Sequence, residues 1–463
     1  MNLRFGTDGV RGRAFDELSE RDIEDLGAAA AAVFGASRFY VARDTRESGP
    51  ALVQALCAGL SADGAEVVDL GVAPTPAVAW LAAADDAPGA VVSASHNPYH
   101  DNGVKLFAAG GRKLADAQQD AVQAAIDAGN AGNAGNAGNA GNAGNAVGRG
   151  RSGERRVGQV RDGAAEVERY VDAVQSSIAG RTFDGLYVVI DCANGASSSI
   201  APRVLRALGA TVDVLFAEPD GRNINEGCGS THPQTLQQTV RDRGADVGLA
   251  FDGDADRVLA VDATGALVDG DQILAVCATD LAANDRLRDR TVVVTVMTNL
   301  GFRLAMRDRD ITVVETAVGD RYVLEALETG GYSLGGEQSG HVIFRDLATT
   351  GDGLLTGVQL LDVVARRDRS LAALSADAMH QLPQVLRNVR MSRLDPSLIE
   401  RMRADTERVE ARLGATGRVL VRASGTEPLI RVMVEAATAA EAAEAADELV
   451  DALSRLTRAQ STP

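Results

Sequence analysis

One pattern occurs three times along the chain and restricts its fold more than any other feature: an apolar run, a polar loop, a helix-periodic stretch and a second apolar run. The first copy predicts a strand at 39–43, a helix at 51–61 and a strand at 66–70; the second predicts a strand at 187–191, a helix at 201–208 and a strand at 211–216. A third begins at Val292, passes through Asn299-Leu300-Gly301, and continues with a helix at 302–306 and a strand at 311–315. Strand and helix periods alternating in this way predict α/β units, and three copies predict three similar α/β domains with mixed sheets. The C-terminal stretch reads differently: a strand at 385–391, a helix at 396–413, two strands at 418–421 and 429–435, and a final helix with Thr438 and Glu441 as its capping box. It predicts a smaller α+β domain with helices on one face of an antiparallel sheet. The expected division is therefore 1–162, 163–260, 261–372 and 373–463.

Composition removes several classes of function. Lys and Arg total 46 against 64 Asp and Glu, a formal charge of -18, which argues against nucleic acid or an anionic membrane as partner. No apolar stretch approaches the roughly 20 residues of a membrane span, and the N-terminus runs straight into charged, glycine-rich sequence. Cys57, Cys192, Cys228 and Cys277 are scattered with no Cys-x-x-Cys pair, so a reducing cytoplasmic setting is expected. Between Gly129 and Ala146 the tripeptide Gly-Asn-Ala recurs without interruption. Such residues bury too little apolar surface to offset backbone ordering, and a flexible surface insertion late in the first domain is expected.

Chemistry concentrates in a few loops. Asp252, Asp254 and Asp256 alternate with Gly253 and Ala255, and Arg257 follows. Val247, Leu249 and Phe251 lead in as a strand, which places the carboxylates in a loop at a strand's carboxyl end, where open α/β sheets bind ligands. Three carboxylates that close repel one another unless a hard divalent ion such as Mg2+ sits among them. An EF-hand is excluded, because Arg257 stands where its glycine would be and Ala263 where its bidentate glutamate would be. A solvated acidic turn is the plain alternative.

The run 90–92 stops at Ser93-Ala94-Ser95-His96-Asn97-Pro98, followed by a turn at Asp101-Asn102-Gly103 and then Val104-Lys105. A serine beside a divalent ion, with His96 and Lys105 nearby, is a plausible carrier of a phosphoryl group. A simple turn built on Asn97-Pro98 accounts for the segment equally well. Only Lys105 and Lys113 are lysines in a chain otherwise served by arginine, which marks Lys105 as an ammonium that can approach a phosphate or shuttle a proton. Arg422-Ala423-Ser424-Gly425-Thr426-Glu427-Pro428, with Arg431 beyond, has the forked donors, hydroxyls and free backbone of a phosphate cradle. Gly335-Gly336-Glu337-Gln338-Ser339-Gly340-His341 offers a carboxylate and hydroxyl suited to sugar hydroxyls. His341 is equally readable as a structural histidine. Gly6-Thr7-Asp8-Gly9-Val10-Arg11-Gly12 adds a glycine-rich turn with one cation. No Gly-x-Ser-x-Gly elbow supports Ser-His-Asp hydrolysis.

These segments, in this order, resemble the α-D-phosphohexomutase superfamily over nearly the whole chain. Asn299-Leu300-Gly301, Cys228-Gly229-Ser230-Thr231-His232-Pro233 and Val318-Gly319-Asp320-Arg321 are similar to its branch that acts on glucosamine phosphates. The resemblance implies four domains around a central cleft, with Ser95 as a phosphoserine that, with Asp252, Asp254 and Asp256, binds one Mg2+ per subunit. It implies Glu337, Ser339, His341 and Arg321 at the substrate, and Arg422, Ser424, Gly425, Thr426 and Arg431 on the phosphate that is not reacting. Arg257 and Arg11 would offset charge on the moving group, and Lys105 and His96 would handle protons. The implied reaction interconverts glucosamine 6-phosphate and glucosamine 1-phosphate through a 1,6-bisphosphate, as intermediate or activator, and feeds cell-wall precursors. The partner is a small sugar phosphate, and a homodimer is compatible with it. Glucose or mannose phosphate as substrate, an aspartate-nucleophile phosphatase using Asp252 and Asp254, and a silent sugar-phosphate sensor are the competing expectations. The Gly-Asn-Ala tract departs from the superfamily pattern but lies outside its motifs.

Overall fold

A computed structural model describes residues 3–6, 9–137, 157–391, 395, 397–423 and 428–460. The chain divides into two compact units: residues 1–296 with 314–375, and residues 297–313 with 376–463. The first unit is built on α/β sheets. Its six-stranded sheet has the order Val10–Arg13, Asp101–Phe107, Gly89–Val92, Arg38–Arg43, Glu66–Val72 and Val160–Asp162. The first three of these pair antiparallel with one another, and the pairings from Gly89–Val92 onward are parallel. Phe39 and Val41, Ala90 and Val92, and Val104 and Leu106 alternate into one core with Ile23 and Leu26 of helix Glu20–Phe34 and Leu52, Leu56 and Leu60 of helix Gly49–Ser61. That is the period of two expected where one sheet face meets helices.

A five-stranded sheet follows, in the order Leu267–Val268, Val258–Asp262, Val247–Phe251, Tyr187–Asp191 and Thr211–Leu215. The four-stranded sheet has the order Thr312–Thr316, Thr291–Thr295, Leu334–Gly336 and Val342–Phe344. The expected α/β alternation is present in both, with mixed pairing. In the second unit Gln384–Arg390, Leu429–Glu435 and Arg418–Ala423 form an antiparallel sheet with Leu429–Glu435 in the centre. Ile430, Val432 and Val434 pack in one core with Met402 and with Val409, Ala445, Leu449 and Leu453 of its helices. The capping box expected at Thr438 is formed, with Thr438 Oγ1 accepting from Glu441 N–H at 3.2 Å.

Four local expectations change. Asp101-Asn102-Gly103 is not a turn: strand Asp101–Phe107 begins there, because pairing with 10–13 outweighs local turn chemistry. The helix expected at 302–306 runs Leu300–Arg307, since the Asn299 side chain accepts Gly301 N–H at 2.9 Å and caps it. The helix expected at 396–413 is two helices, Ser397–Arg401 and Arg403–Leu413. Helix Asp116–Ala137 continues into the first Gly-Asn-Ala repeats, so the expected flexible insertion is helical up to Ala137. The remainder of that tract, and Thr7, Asp8, Ser424, Gly425, Thr426 and Glu427, lie outside the described residues.

One device recurs. Strands Gly89–Val92 and Asp101–Phe107 are antiparallel, as are Val247–Phe251 with Val258–Asp262 and Leu334–Gly336 with Val342–Phe344. The serine, aspartate and glutamate loops are therefore each the connection of a hairpin, fixed at both ends by ladder hydrogen bonds.

Candidate active site

Ser95 and the aspartate triplet, 157 residues apart, meet directly: Ser95 Oγ donates to Asp252 Oδ2 at 2.6 Å. Both side chains are buried. The approach is close enough that a Cβ on Gly253 would stand 2.5 Å from the Ser95 carbonyl oxygen, so this position requires glycine. Ser95 and Ala255 hold left-handed backbone, φ 53° and 58°, a conformation that disfavours L side chains and persists where surroundings over-determine it.

One oxygen from each of Asp252, Asp254 and Asp256 lies within 4.8 Å of the others. Lys105 Nζ donates to Asp254 Oδ2 at 2.8 Å and to Asp256 Oδ2 at 3.0 Å. Thr75 Oγ1 adds a bond to Asp254 Oδ2 at 2.6 Å. Burial, then the charges of Asp256 and Asp254, push Asp252 well above the usual carboxylate range. Burial acts the same way on Asp256, but Lys105, His341 and Arg257 overcome it and hold that carboxyl well below its ordinary value. Asp254 Oδ1 and Asp256 Oδ1 remain buried without a hydrogen-bond partner among the described residues. Orphaned carboxylate oxygens are costly, and an all-oxygen donor set of this kind suits a hard divalent cation. The triplet has the geometry and donor set to hold a divalent cation.

Around it stand the remaining expected residues. His96 Nδ1 lies 3.4 Å from Ser95 Oγ and 3.5 Å from an Arg257 nitrogen. Burial, then Arg257 and Arg11, push its pKa down to about 4, so the imidazole is neutral near neutral pH. Burial opposes the Arg257 charge, but Asp256, Asp252 and Glu337 raise its pKa. His341 is buried between Asp256 Oδ2 at 3.8 Å and Asp320 Oδ2 at 3.4 Å, which fits the structural reading of that residue. Glu337 Oε1 accepts Gly319 N–H at 3.1 Å, and Ser339 Oγ lies 3.4 Å from Glu337 Oε2. Arg321 is engaged elsewhere, in an ion pair with Asp116 and 4.8 Å above the Tyr322 ring, although it lines the same small cavity as Lys105.

In the second unit Arg422 and Arg431 are direct cross-strand partners. Burial, then Arg431, lowers the Arg422 pKa. Arg431 Nε is buried with no hydrogen-bond partner among the described residues. Like charges directly opposite on a sheet repel, and an anion relieves both conditions.

Sequence reasoning missed Asp44, Arg46, Ser93, Thr75 and Asn225. Asn225 Nδ2 donates to the Ser95 and Asn97 carbonyls at 2.9 and 3.0 Å. The one available signal was Asp44-Thr45-Arg46, a polar cluster directly after strand Arg38–Arg43.

Known proteins share this chain's sequence and fold. Residues 2–132, 168–265 and 269–382 match phosphoglucomutase/phosphomannomutase alpha/beta/alpha domains I, II and III, and residues 386–452 match the C-terminal domain. The chain belongs to the phosphoglucomutase/phosphomannomutase family and is an enzyme of the isomerase class. It is 52% identical over 454 residues to the phosphoglucosamine mutase of Frankia alni, covering 95% of each chain. To that of Desulforudis audaxviator it is 47% identical over 472 aligned positions, covering all of both. Among solved structures, a phosphoglucomutase/phosphomannomutase family protein of Burkholderia thailandensis is 28% identical, with a TM-score of 0.78 and 96% of each chain covered. The N-acetylphosphoglucosamine mutase of Aspergillus fumigatus, solved with GlcNAc-6P and magnesium, shares the fold at 18% identity, with a TM-score of 0.69 over 98% of this chain and 96% of that one. No helix among the described residues is long and apolar enough to cross a membrane.

Proposed function

We propose that this chain is a phosphoglucosamine mutase, interconverting glucosamine 6-phosphate and glucosamine 1-phosphate by way of a phosphoserine at Ser95. The observation that carries the reading is the 2.6 Å contact between Ser95 Oγ and Asp252, a nucleophile against a metal site. Relatives about half identical over the whole chain supply the substrate class. Domain division at 1–162, 163–260, 261–372 and 373–463 belongs to the same reading, as does a cytoplasmic setting, which four free buried cysteines support.

The phosphoryl group passes from Ser95 Oγ to the C1 hydroxyl of glucosamine 6-phosphate, whose proton goes to the protein. That gives glucosamine 1,6-bisphosphate, which turns over in the site. Its 6-phosphoryl group then returns to Ser95 Oγ, which releases glucosamine 1-phosphate and restores the starting enzyme. In this reading the proton roles belong to His96, neutral and beside Ser95, as acceptor, and to the Lys105 ammonium as donor to the departing serine oxygen. Arg257 and Arg11 balance charge near the serine, and Glu337, Ser339, His341 and Arg321 make up the substrate-binding set of this reading. Asp252, Asp254, Asp256 and the phosphoserine would hold one Mg2+, which supplies charge neutralisation for phosphoryl transfer when bound. Arg422 and Arg431, with Ser424, Gly425 and Thr426, hold the phosphate that is not reacting, and fix orientation through it.

A coupled isomerase assay tests this with glucosamine, glucose and mannose phosphates, using wild type and Ser95→Ala. Glucosamine phosphate should be preferred, and Ser95→Ala should lose at least about a thousandfold in turnover. Preference for glucose or mannose phosphate reassigns the substrate. Released inorganic phosphate with an active Ser95→Ala would mark an aspartate-based phosphatase instead, and intact mass without phosphate on wild-type Ser95 would mark a silent binding protein.

A further inference from the structure

We infer that Arg46 is a positioning residue for phosphoryl transfer: it holds the serine loop in its strained backbone and, through its own segment, sets the distance between Ser95 and the metal loop. Arg46 is 1% exposed, an unusual burial for a guanidinium. Among the described residues its side chain bonds only to the serine hairpin and to one carboxylate. Its two terminal nitrogens donate to the carbonyls of Ser95 at 2.9 Å, Asn97 at 2.8 Å, Asp101 at 3.0 Å and, closely, Pro98. Nε donates to Asp44 Oδ2 at 2.9 Å.

The same Asp44 oxygen accepts from Ser93 Oγ at 2.6 Å, and Ser93 Oγ accepts from Ser95 N–H at 2.9 Å. Backbone N–H and carbonyl of Ser95 are thus both tied to one buried ion pair. A serine at φ 53° has no local reason to stay there. The guanidinium gathers four loop carbonyls onto one rigid plane and supplies that reason, and a flexible ammonium has too few donors and no fork.

The segment carrying Arg46 also docks on the neighbouring domain. Thr45 Oγ1 donates to the Asn194 carbonyl at 2.5 Å, and Glu47 N–H donates to the Gly221 carbonyl at 2.8 Å. Arg222 returns a bidentate pair to Glu47, both bonds 2.8 Å. Asn225, from that side, donates to two of the carbonyls that Arg46 holds. Residues 44–48 are therefore the joint through which the domain bearing Ser95 is registered on the domain bearing Asp252.

The inference rests on the proposed mutase reading. Arg46→Gln and Arg46→Lys are compared with wild type for kcat and KM, and for the single-turnover rate at which a hexose 1,6-bisphosphate loads phosphate onto Ser95, followed by intact mass. A misplacement of about 1 Å costs about a hundredfold, so Arg46→Gln should lose about that in kcat and in loading rate with KM little changed. Arg46→Lys should recover only part of the loss. Unchanged kcat and loading in a folded Arg46→Gln, measured well below its unfolding temperature, would overturn the assignment and leave a purely structural arginine. If that variant does not fold, Asn225→Ser takes its place, with about a tenfold fall in loading rate expected and an unaltered rate counting against the joint. Absence of mutase turnover in wild type defeats the functional reading instead, so the two failures are separable.

Discussion

The aspartate hairpin of the first unit and the arginine hairpin of the second are both antiparallel strand pairs, yet they treat charge in opposite ways. Asp252, Asp254 and Asp256 crowd together with Lys105 and Arg257 already among them. Arg422 and Arg431 face each other across adjacent strands, and burial, then the Arg431 charge, lowers the Arg422 pKa. A centre that must hold moving charge carries its counterions with it, whereas one that must capture an anion keeps its cations in mutual repulsion until the anion arrives.

The sharpest way to break this contrast is to remove the metal from one hairpin only. Chelation, or Asp254→Asn, should lower kcat by about a thousandfold with KM nearly constant, and added Mg2+ should restore the chelated enzyme alone in a steady-state assay. Next in size is the built-in counterion. Lys105→Met leaves buried carboxylates unpaired, so its unfolding free energy in chelator should fall by about 3 kcal/mol, measured by urea denaturation, with Mg2+ recovering much of it. On the other hairpin Arg431→Ala should raise KM by about tenfold to a hundredfold, the worth of a charge-assisted hydrogen bond, with no loss of thermal stability, because it removes repulsion. Inorganic phosphate should raise the melting temperature of wild type more than that of this variant.

The smallest expected effect concerns a carboxyl outside both hairpins. Burial raises Asp191 to about 6, against two backbone N–H donors, Ala193 and Gly229. A raised acid binds its proton more tightly folded than unfolded, so stability falls as pH climbs from about 4 to about 6, by no more than about 3 kcal/mol. Urea midpoints across that range should show this slope in wild type and lose it in Asp191→Asn.

Much of the site was legible because its loops end strands whose apolar runs are continuous in sequence, as with Val247–Phe251 before Asp252 and Gly89–Val92 before the serine. Ser95 and the aspartates could be joined by chemistry alone, since a metal and a phosphoryl carrier need each other. Arg46 could not. Its partners lie up to 55 residues away, and a buried arginine leaves no periodic trace in a chain rich in arginine. Asp101-Asn102-Gly103 misled for the converse reason: its local preference is for a turn, and only the distant strand Val10–Arg13 makes it extended. Arg321 stands apart as well, because nothing local announces that Asp116 will claim it.

The hydroxyl of Ser95 finds an acceptor inside the protein before any phosphate is attached. The serine hydroxyl is therefore already satisfied within the fold, and its own hydrogen bonding gives the loop no reason to rearrange.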